Sequence, residues 1–538
     1  MAPGILLAAT LAAHFVSPLV KVRPGQPPPE VDGRLSLARN ECEGIQVFLP
    51  PGLEPTRVEL PAALEGPDGA KLPLVGYQAR WIRVTRPSNS AGGTGLWADP
   101  LVPLSDKPVR STKKEPGLLY LEVCAPEAQR PGTYGASVRL MQGQQVKSLA
   151  LKATVQPFAI PATSSLPNTF GISLYSIAKG HGIDSETPEA RALLAEYVRE
   201  LLRHRVSAHG MDMTPPPVRF ERGVAKVDFE AWDRELLPFL SGTALPSGAR
   251  FTTLQLHDLG KSSTEAEKSA YLRAVRAHLD AKGFSGDVFF YAKDEPRPED
   301  YPLVRAQSRA VRGAKGVRTL VTSAFDRRLA PEADILAPPL NCFFERSGPQ
   351  TCTAPMSAAA LRKKLGRDKR VYWYQSCLAH GCADTPIHDP KVERAYTGWA
   401  SYMLDHPAPL NRAMGPLAFI AGVDGELYFN TVMAFHNGDP WESIWAFGGN
   451  GDGTFFYPGT PERLGVQRHA PVTSLRLKHL RDGLEDYEYL RLLEQRGQGK
   501  AAREWVRRLA KSGYEITLDP GEWAAVREGL TRAINARE

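Results

Sequence analysis

The sequence has few cysteines, no long hydrophobic run and no strong excess of charge. Six cysteines in 538 residues are too few for a fold scaffolded by disulfides. No later segment offers 18 uninterrupted apolar residues, so we predict no stable membrane insertion. The net charge of +7 comes from 66 Lys and Arg against 59 Asp and Glu without a basic block, which argues against a nucleic-acid partner. These absences favour a soluble globular protein.

The N-terminal segment Gly4–Ala13 is apolar but too short to span a bilayer. It resembles the apolar part of a secretory signal, although no Lys or Arg precedes it. We therefore interpret residues 1–13 as the remnant of a signal, which is either trimmed or preceded by an earlier start site, and we expect a secreted or periplasmic protein.

The cysteines lack the Cys-x-x-Cys spacing of a zinc knuckle, although His380 lies among the later ones. We expect disulfides or unpaired thiols, and we predict no metal and no cofactor. The six positions are Cys42, Cys124, Cys342, Cys352, Cys377 and Cys382.

Residues 14–161 consist of short runs in which apolar and polar side chains alternate, separated by Pro, Gly and Asp. Alternation of this kind is typical of strands with one buried face, so we predict an antiparallel β-sandwich. The predicted strands include Arg34–Leu37, Gly44–Leu49, Ala79–Val84, Leu118–Val123, Ala136–Leu140 and Leu149–Val155. The Pro- and Ser-rich stretch Phe158–Pro167 is the predicted linker.

Residues 168–470 alternate short buried strands with amphipathic helices, a pattern typical of βα units on a parallel sheet. Eight strands in this rhythm predict a (β/α)8 barrel of the TIM type, although the fifth connection has little room for a helix. The strands are Thr169–Tyr175, Val206–Met211, Phe251–His257, Asp287–Lys293, Val317–Ser323, Asp334–Pro338, Arg370–Gln375 and Gly425–Asn430. The helices between them include Pro188–His204, Ala266–Lys282, Asp300–Arg312 and Ser357–Leu365.

Residues 471–538 carry three helical patterns, which we interpret as an extension packed on the barrel. They cover Ser474–Gln495, Lys500–Lys511 and Gly521–Ala536. The charged motif Arg481–Glu488 lies on a helix with a leucine stripe, so we expect its charges to fasten the helix rather than form a second acidic site. Similarly, we expect Gly451–Thr454 to make a turn rather than a calcium site.

The fourth predicted strand ends in two adjacent acids, Asp294 and Glu295, followed by Pro296. In a TIM-type barrel the active site forms at the carboxyl ends of the strands, so this pair is the predicted catalytic site. The other strand ends supply aromatic, amide and acidic groups, a mixture that suits a sugar. These groups are Tyr175, His209, Asp212, His257, Asp258, Asn341, Trp373, Tyr374, Gln375, Tyr428 and Asn430.

Adjacent carboxylates limit the possible mechanisms. Direct retaining hydrolysis places two carboxyl groups about 5–5.5 Å apart on either side of the scissile bond. Neighbouring residues have Cα atoms only about 3.8 Å apart, and the seventh strand ends in Gln375 without an acid until Asp384. The pair therefore better suits substrate assistance, in which the 2-acetamido oxygen of the sugar attacks C1.

Four segments together resemble glycoside hydrolase family 123: Tyr291–Pro296, Gly438–Trp441, Gly451–Gly459 and Ser474–Tyr489. That family includes β-N-acetylgalactosaminidases with a β-sandwich before a (β/α)8 catalytic barrel. The resemblance implies that Asp294 stabilises the acetamido group and that Glu295 is the acid/base. We therefore expect a retaining hydrolase that removes terminal β-linked N-acetylgalactosamine from a glycan partner. The predicted substrate-binding residues are Asn341, Trp373, Tyr374, Tyr428, Asp439 and Trp441.

The sequence departs from the family pattern at Phe429, where a Trp is expected, and at Lys293, which could lower the pKa of the acid pair or point away along the strand. Two alternatives remain open. One is a glycosidase of the same architecture acting on another polysaccharide, with Asp258, Asp384 or Asp439 as the second carboxylate. The other is a non-catalytic carbohydrate-binding surface protein.

Overall fold

The structure is a computed structural model that describes residues 11–51, 56–109, 111–112, 114–260, 262–348, 352, 354–381 and 390–536. The chain divides into two compact units. The first comprises residues 1–83, 95–160 and 534–538, and the second comprises residues 84–94 and 161–533. No helix among the described residues is long and apolar enough to cross a membrane.

The first unit is built of strands, as the sequence predicts, but the predicted alternation holds for only some of them. Gln145–Ala159 alternates buried and exposed residues, whereas Glu41–Leu49 and Gly117–Ala125 are buried along almost their whole length. The strands of the first unit are β1 (His14–Val16), β2 (Arg34–Arg39), β3 (Glu41–Leu49), β4 (Arg57–Glu59), β5 (Ala63–Glu65), β6 (Lys71–Val84), β7 (Gly95–Pro103), β8 (Gly117–Ala125), β9 (Gly132–Gln142) and β10 (Gln145–Ala159).

Pairing in the first unit runs in the order β1-β3-β8-β6-β5-β9-β10-β2. The long strand β6 pairs with β8 through residues 74–78 and with β5 through residues 71–73. Buried side chains from both halves of this path, among them Val47, Leu119, Leu140 and Leu151, share one core. The strands are antiparallel except that β2 runs parallel to β10, so the purely antiparallel prediction is wrong at that edge. The sandwich arrangement stays a prediction.

The second unit contains an eight-stranded parallel sheet, and each of its strands overlaps one of the eight predicted from the sequence. The strands of the second unit are β11 (Asn168–Ile172), β12 (Ala208–Gly210), β13 (Val218–Glu221), β14 (Val224–Val227), β15 (Thr253–Leu256), β16 (Asp287–Asp294), β17 (Val317–Thr322), β18 (Ile335–Ala337), β19 (Arg370–Tyr374), β20 (Gly425–Tyr428), β21 (Trp445–Ala446), β22 (Gly449–Asn450), β23 (Tyr457–Gly459) and β24 (Ala470–Ser474). The parallel sheet consists of β11, β12 and β15 to β20.

The order of the parallel sheet is β12-β11-β20-β19-β18-β17-β16-β15. Its two end strands, β12 and β15, lie next to one another, so the sheet is a nearly closed barrel. Side chains bridge this seam, because the Gln255 amide oxygen accepts from Gly210 N–H at 3.1 Å and Ser207 Oγ accepts from Thr252 N–H at 2.8 Å. The full TIM-type arrangement stays a prediction.

Helices follow the barrel strands, and four predicted ones agree with the structure within about two residues. The α-helices in the described part of the chain are α1 (Leu174–His181), α2 (Pro188–Arg203), α3 (Glu230–Ser241), α4 (Glu265–Ala281), α5 (Tyr301–Arg312), α6 (Ala358–Leu365), α7 (Cys377–His380), α8 (Pro390–Tyr396), α9 (Ala408–Arg412), α10 (Met414–Ala421), α11 (Ala434–Asn437), α12 (Pro461–Leu464), α13 (Leu475–Gln495), α14 (Gly499–Leu509) and α15 (Pro520–Asn535). The four barrel helices that agree with the prediction are α2, α4, α5 and α6. The short fifth connection holds only the 3-10 turn Ala330–Glu332.

The barrel interior is filled by alternate residues of its strands, including Phe289, Tyr291, Leu320, Tyr372 and Tyr374. At the amino ends of the strands, the Tyr372 hydroxyl donates to Asp287 at 2.7 Å. Asp287 also forms ion pairs with Arg318 and Arg370, at 3.4 and 3.3 Å. This network lies at the face of a barrel that serves stability, whereas the carboxyl ends are the candidate site.

Helix α13 is buried along almost its whole length, so its charged residues need partners inside the protein. Arg412 makes a two-point ion pair with Asp486, and Arg205 pairs with Glu485 at 3.4 Å. The Ser165 N–H donates to Glu488 at 2.6 Å. The prediction that the charged motif fastens this helix is confirmed.

The cysteine prediction is also resolved for the described residues. Disulfides join Cys42 to Cys124 and Cys342 to Cys352, and Cys377 is disulfide-bonded as well. Cys382 lies outside the described residues.

Candidate active site

A β-bulge at Ala292 decides which way the acid pair points. On β16, Tyr291 pairs with Leu320 of β17, but the next matched residue is Lys293, which pairs with Val321. Paired residues on neighbouring strands share a face of the sheet, and one extra residue shifts the alternation by one. Asp294, opposite Thr322, therefore shares the interior face with Tyr291, and Lys293 lies on the other face. Of the two orientations open for Lys293, the structure has the one that points away.

Two hydroxyl groups hold Asp294 through a single oxygen. The Tyr291 hydroxyl donates to Asp294 Oδ1 at 2.7 Å, and the Thr322 hydroxyl donates to the same atom at 2.8 Å. Burial raises the pKa of Tyr291 well above its usual value, with a smaller contribution from Asp294, so the phenol stays a donor. No hydrogen bond from a described residue reaches Asp294 Oδ2, which leaves that oxygen for a ligand.

Glu295 leaves the strand through a left-handed backbone conformation with φ at 41°. Such a conformation in a residue other than glycine costs on the order of 1–3 kcal/mol. Its N–H is fixed by Thr322 Oγ1 at 3.0 Å, and its side chain accepts a hydrogen bond from the Tyr374 hydroxyl of β19 at 2.5 Å. Burial, and then the Glu295 carboxylate, raise the pKa of Tyr374 well above its usual value. The two neighbouring acids are thus held by different partners.

Two histidines lie at the mouth of the barrel, which is the opening at the carboxyl ends of its strands. They are on the side where β12 and β15 meet. The His209 ring lies 6.4 Å from the Tyr291 ring, and its Nδ1 is 3.0 Å from Thr169 Oγ1. Burial, and then the charge of His257, lower the pKa of His209 to about 4, against opposing contributions from Thr169 and Asp294. Burial also lowers the pKa of His257, although Asp212 opposes this shift. His209 is therefore neutral at neutral pH.

This low pKa of His209 predicts a pH-dependent loss of stability. Between pH 6.5 and 4 the unfolded chain binds a proton that the folded chain does not, so the free energy of unfolding rises with pH and falls on acidification. From the shift to about 4, we expect His209 to account for roughly 3 kcal/mol of the loss between pH 7 and pH 4. Urea unfolding at both pH values, compared with His209→Gln, measures this difference. An equal loss in both proteins would contradict the assignment.

Comparison with known proteins identifies a catalytic domain within the second unit. Residues 253–493 match the family model described as the catalytic domain of glycoside hydrolase 123. The chain is a glycoside hydrolase with a family 123 catalytic domain. The matched segment contains the acid pair, Tyr374 and most of α13. No curated protein matches the sequence.

Among solved structures, a family 123 glycoside hydrolase from Clostridium perfringens, studied for glycolipid glycan hydrolysis, is similar with a TM-score of 0.67. The two chains share 12% sequence identity, and the match covers 98% of each. A β-glucuronidase from Parabacteroides merdae matches with a TM-score of 0.27 and 9% identity, over 89% of this chain and 52% of that chain. The first similarity supports the same fold, and the second is too weak to support any inference.

The aromatic residues Trp373 and Tyr428 of the family 123 domain do not reach the mouth. Tyr372, Tyr374 and Leu427 fill the interior, so the strand alternation turns Trp373 and Tyr428 outwards. Both are fully buried there, Trp373 against Phe343 and Tyr428 with its hydroxyl 3.0 Å from Asp452. Their prediction as substrate-binding residues is wrong, because it considered the type of each residue but not the face of the strand on which its side chain lies. Tyr374 does contact the acid pair.

The loop residues Asp439 and Trp441 are used within their own loop. Asp439 accepts from the Trp441 N–H at 3.0 Å and forms an ion pair with Arg463. The Trp441 indole donates to the Pro458 carbonyl at 2.9 Å, and its ring packs on Tyr457. These contacts give both residues a structural role within the loop, and their predicted contact with the sugar stays a prediction.

Asn341 of the family 123 domain lies in the 3-10 turn Leu340–Cys342 that follows β18. It is fully buried, and neither of its side-chain amide atoms has a hydrogen-bond partner among the described residues. A buried amide normally has partners, so the predicted ligand contact of Asn341 stays a prediction.

The alternative second carboxylates are engaged elsewhere or lie outside the described residues. Asp258 pairs with Lys268 at 2.8 Å, Asp439 pairs with Arg463, and Asp384 lies outside the described part of the chain.

Among the described residues, no group of three or more His, Cys, Asp and Glu could hold a metal ion. In the turn Gly451–Thr454, the Asp452 carboxylate accepts a hydrogen bond from the Cys377 N–H at 2.9 Å.

Sequence reasoning missed Thr322 and the role of Tyr291. Both lie in strands that were predicted correctly, Thr322 at the end of β17 and Tyr291 three residues before Asp294. The missing signal was the bulge at Ala292, which no residue type at that position announces. Without the bulge, regular alternation from Tyr291 would place the Lys293 side chain in the barrel interior.

Proposed function

We propose that this glycoside hydrolase removes terminal β-linked N-acetylgalactosamine from glycans with retention, by substrate-assisted catalysis through the 2-acetamido group. One observation carries the proposal: two adjacent acids at the carboxyl end of β16 are held by different partners. Asp294 is fixed by Tyr291 and Thr322, and Glu295 is fixed by Tyr374. Neighbouring acids that are oriented separately can serve two different atoms of one sugar.

In this mechanism Asp294 acts on the acetamido group. Its Oδ1 already accepts two hydrogen bonds, so Oδ2 is the oxygen that accepts from the acetamido N–H of the substrate. This contact directs the acetamido carbonyl oxygen towards C1. The carboxylate also stabilises the positive charge that develops as the C–O bond of the oxazolinium ring forms.

Glu295 acts on the leaving group. Its protonated carboxyl donates to the glycosidic oxygen as that bond breaks. In the second step the resulting carboxylate takes a proton from the water that attacks C1 and opens the oxazolinium ring, which restores the acid. The Tyr374 hydroxyl at Oε1 positions the side chain, and it leaves the second oxygen for proton transfer.

The nearby strand ends support substrate assistance rather than a carboxylate nucleophile. Strand β19 is followed by Gln375, whose amide oxygen lies 3.0 Å from His380 Nε2. Among the described residues, Asp258 and Asp439 are both engaged in ion pairs. A substrate that supplies its own nucleophile needs no further acid.

A panel of aryl glycosides tests the proposal. We expect efficient cleavage of the β-N-acetylgalactosaminide, slower cleavage of the β-N-acetylglucosaminide, and little cleavage of the β-galactoside, which has a hydroxyl in place of the acetamido group. A thiazoline analogue of the oxazoline should inhibit. Efficient β-galactoside cleavage would rule out substrate assistance. Because the similar Clostridium perfringens enzyme was studied for glycolipid glycan hydrolysis, glycolipid glycans belong in the panel.

We also propose that the protein works in an oxidising compartment outside the cytoplasm. The disulfides Cys42–Cys124 and Cys342–Cys352 support this location, because such bonds persist mainly in exported proteins. Thiol labelling of fractionated cells tests it, and fully reduced cysteines in the cytoplasmic fraction would contradict it.

A further inference from the structure

Phe447 occupies a backbone position that disfavours phenylalanine. It forms, with Gly448, the two-residue turn between β21 and β22, and the φ angles of the two residues are 48° and 89°. Positive φ at both central positions is the type I′ pattern, which prefers Asn, Asp and Gly. A bulky side chain there is strained, and such strain tends to be kept at functional sites.

Phe447 is also 64% exposed, the highest value among the large hydrophobic side chains in the described part of the chain. With most of its surface in solvent, the Phe447 side chain buries little apolar area. The side chain therefore needs an explanation other than stability of the fold.

The ring of Phe447 lies next to the carboxyl end of β20, the eighth barrel strand. It packs edge to face on Phe429, with 5.5 Å between ring centroids, and Phe429 directly follows β20. Phe429 is itself closely seated, because a Cβ added to Gly453 would come within 2.6 Å of its ring. Its carbonyl oxygen would lie 2.0 Å from a Cβ on Gly171 of the neighbouring strand β11. Phe447 thus belongs to the carboxyl-end face of the barrel.

This position is opposite the acid pair. In the strand order, β20 is four strands from β16 in either direction around the nearly closed barrel. Among the residues that the structure describes, Tyr175 is the other exposed large aromatic side chain. It is 54% exposed and follows β11, the neighbour of β20. Its ring lies 5.9 Å from His436, and its N–H is fixed by Asp212 at 3.0 Å. Two exposed rings therefore stand on the side of the mouth that faces the acids.

We propose that Phe447, together with Tyr175, forms a stacking subsite for a sugar on the leaving-group side of the scissile bond. The inference rests on the proposed function, in which the terminal sugar lies at Asp294 and Glu295 and the rest of the glycan extends from its leaving oxygen. Aromatic faces stack on the apolar faces of sugar rings. The subsite makes the enzyme selective for glycans with at least one further sugar.

Phe447→Asn in the full chain tests this subsite, because asparagine suits the turn but cannot stack. The two substrates are N-acetyl-β-galactosaminyl fluoride, which has no sugar on the leaving-group side, and an oligosaccharide ending in β-linked N-acetylgalactosamine. We expect the ratio of kcat/KM for the oligosaccharide to that for the fluoride to fall by about 10-fold, mainly through KM. We also expect Tm to stay equal or rise. Phe447→Tyr should preserve the ratio.

The matched control is Leu518→Ala, which removes a side chain that is 51% exposed, in the linker before α15. An unchanged ratio in Phe447→Asn, or a fall in Tm with equal loss on both substrates, would overturn the subsite. If the wild-type chain cleaves neither substrate, that result contradicts the proposed function without bearing on the subsite. The subsite is then tested by titrating the oligosaccharide into Glu295→Gln with and without Phe447→Asn, where weaker binding supports it and equal binding overturns it.

Discussion

Replacing Glu295 by glutamine is expected to lower kcat/KM for a β-N-acetylgalactosaminide with a poor leaving group by about 10³-fold, within the 10²–10⁴ range of general acid catalysis. Glutamine keeps the size of the side chain and can still accept from the Tyr374 hydroxyl, which lies 2.5 Å from Glu295 Oε1. It cannot give a proton to the glycosidic oxygen. With a fluoride or dinitrophenyl leaving group, which needs no protonation, the loss in the first step should be much smaller.

The decisive measurement for Glu295 is kcat/KM across aryl leaving groups of increasing pKa. The variant should show a steep dependence on the leaving-group pKa, and the wild-type enzyme a shallow one. Glu299→Gln is the matched control, since Glu299 is an exposed acid in the turn just after the pair. Equal slopes for wild type and Glu295→Gln would remove Glu295 from the acid role.

Replacing Asp294 by asparagine is expected to lower kcat/KM by about 10²–10³-fold, the cost of losing one oriented electrostatic partner of the transition state. The side chain should keep its place, because Tyr291 and Thr322 can donate to the amide oxygen as they do to Oδ1. The position of Oδ2 is then taken by an NH2 group. That group can neither accept from the acetamido N–H nor offset the positive charge of the oxazolinium.

The Asp294 variant should lose activity by a similar factor with good and poor leaving groups, because its contact is to the acetamido group. Rates measured on the fluoride and on an alkyl glycoside distinguish the two acids. A loss at Asp294 confined to poor leaving groups would mean that Asp294 is the proton donor and that the assigned roles must be exchanged.

Much of the barrel follows from the sequence, because short β-rich runs bounded by Gly and Pro alternate with helical patterns. This rhythm predicts β16 and places the acids at its end. The predicted first strand runs too far, since Leu174 already begins α1 after the Ser173 cap. The hairpin β13–β14 was also missed, because its two strands are four residues each and half exposed.

The surroundings of the acids follow from the sequence much less well. Tyr374 lies at the predicted site, where its hydroxyl donates to Glu295, but Trp373 beside it is buried on the outer face of the same strand. Successive residues of a strand point to opposite faces, so a shift of one residue would exchange the positions of Tyr374 and Trp373. Which residues point inwards near the mouth depends on bulges and on the exact ends of the strands. Nothing in the sequence points to the proposed role of Phe447, because that role depends on a backbone angle and on the position of the residue opposite β16.

The most direct test of the central claim, participation of the acetamido group, is a series of substrates in which fluorine replaces the hydrogens of the acetyl methyl group one at a time. Each fluorine withdraws electrons from the carbonyl oxygen and weakens it as a nucleophile, while the leaving group stays the same. Substrate assistance predicts that kcat/KM falls steeply from the acetamide to the trifluoroacetamide, by several powers of ten across the series. A flat series would contradict it and would require a nucleophile supplied by the protein.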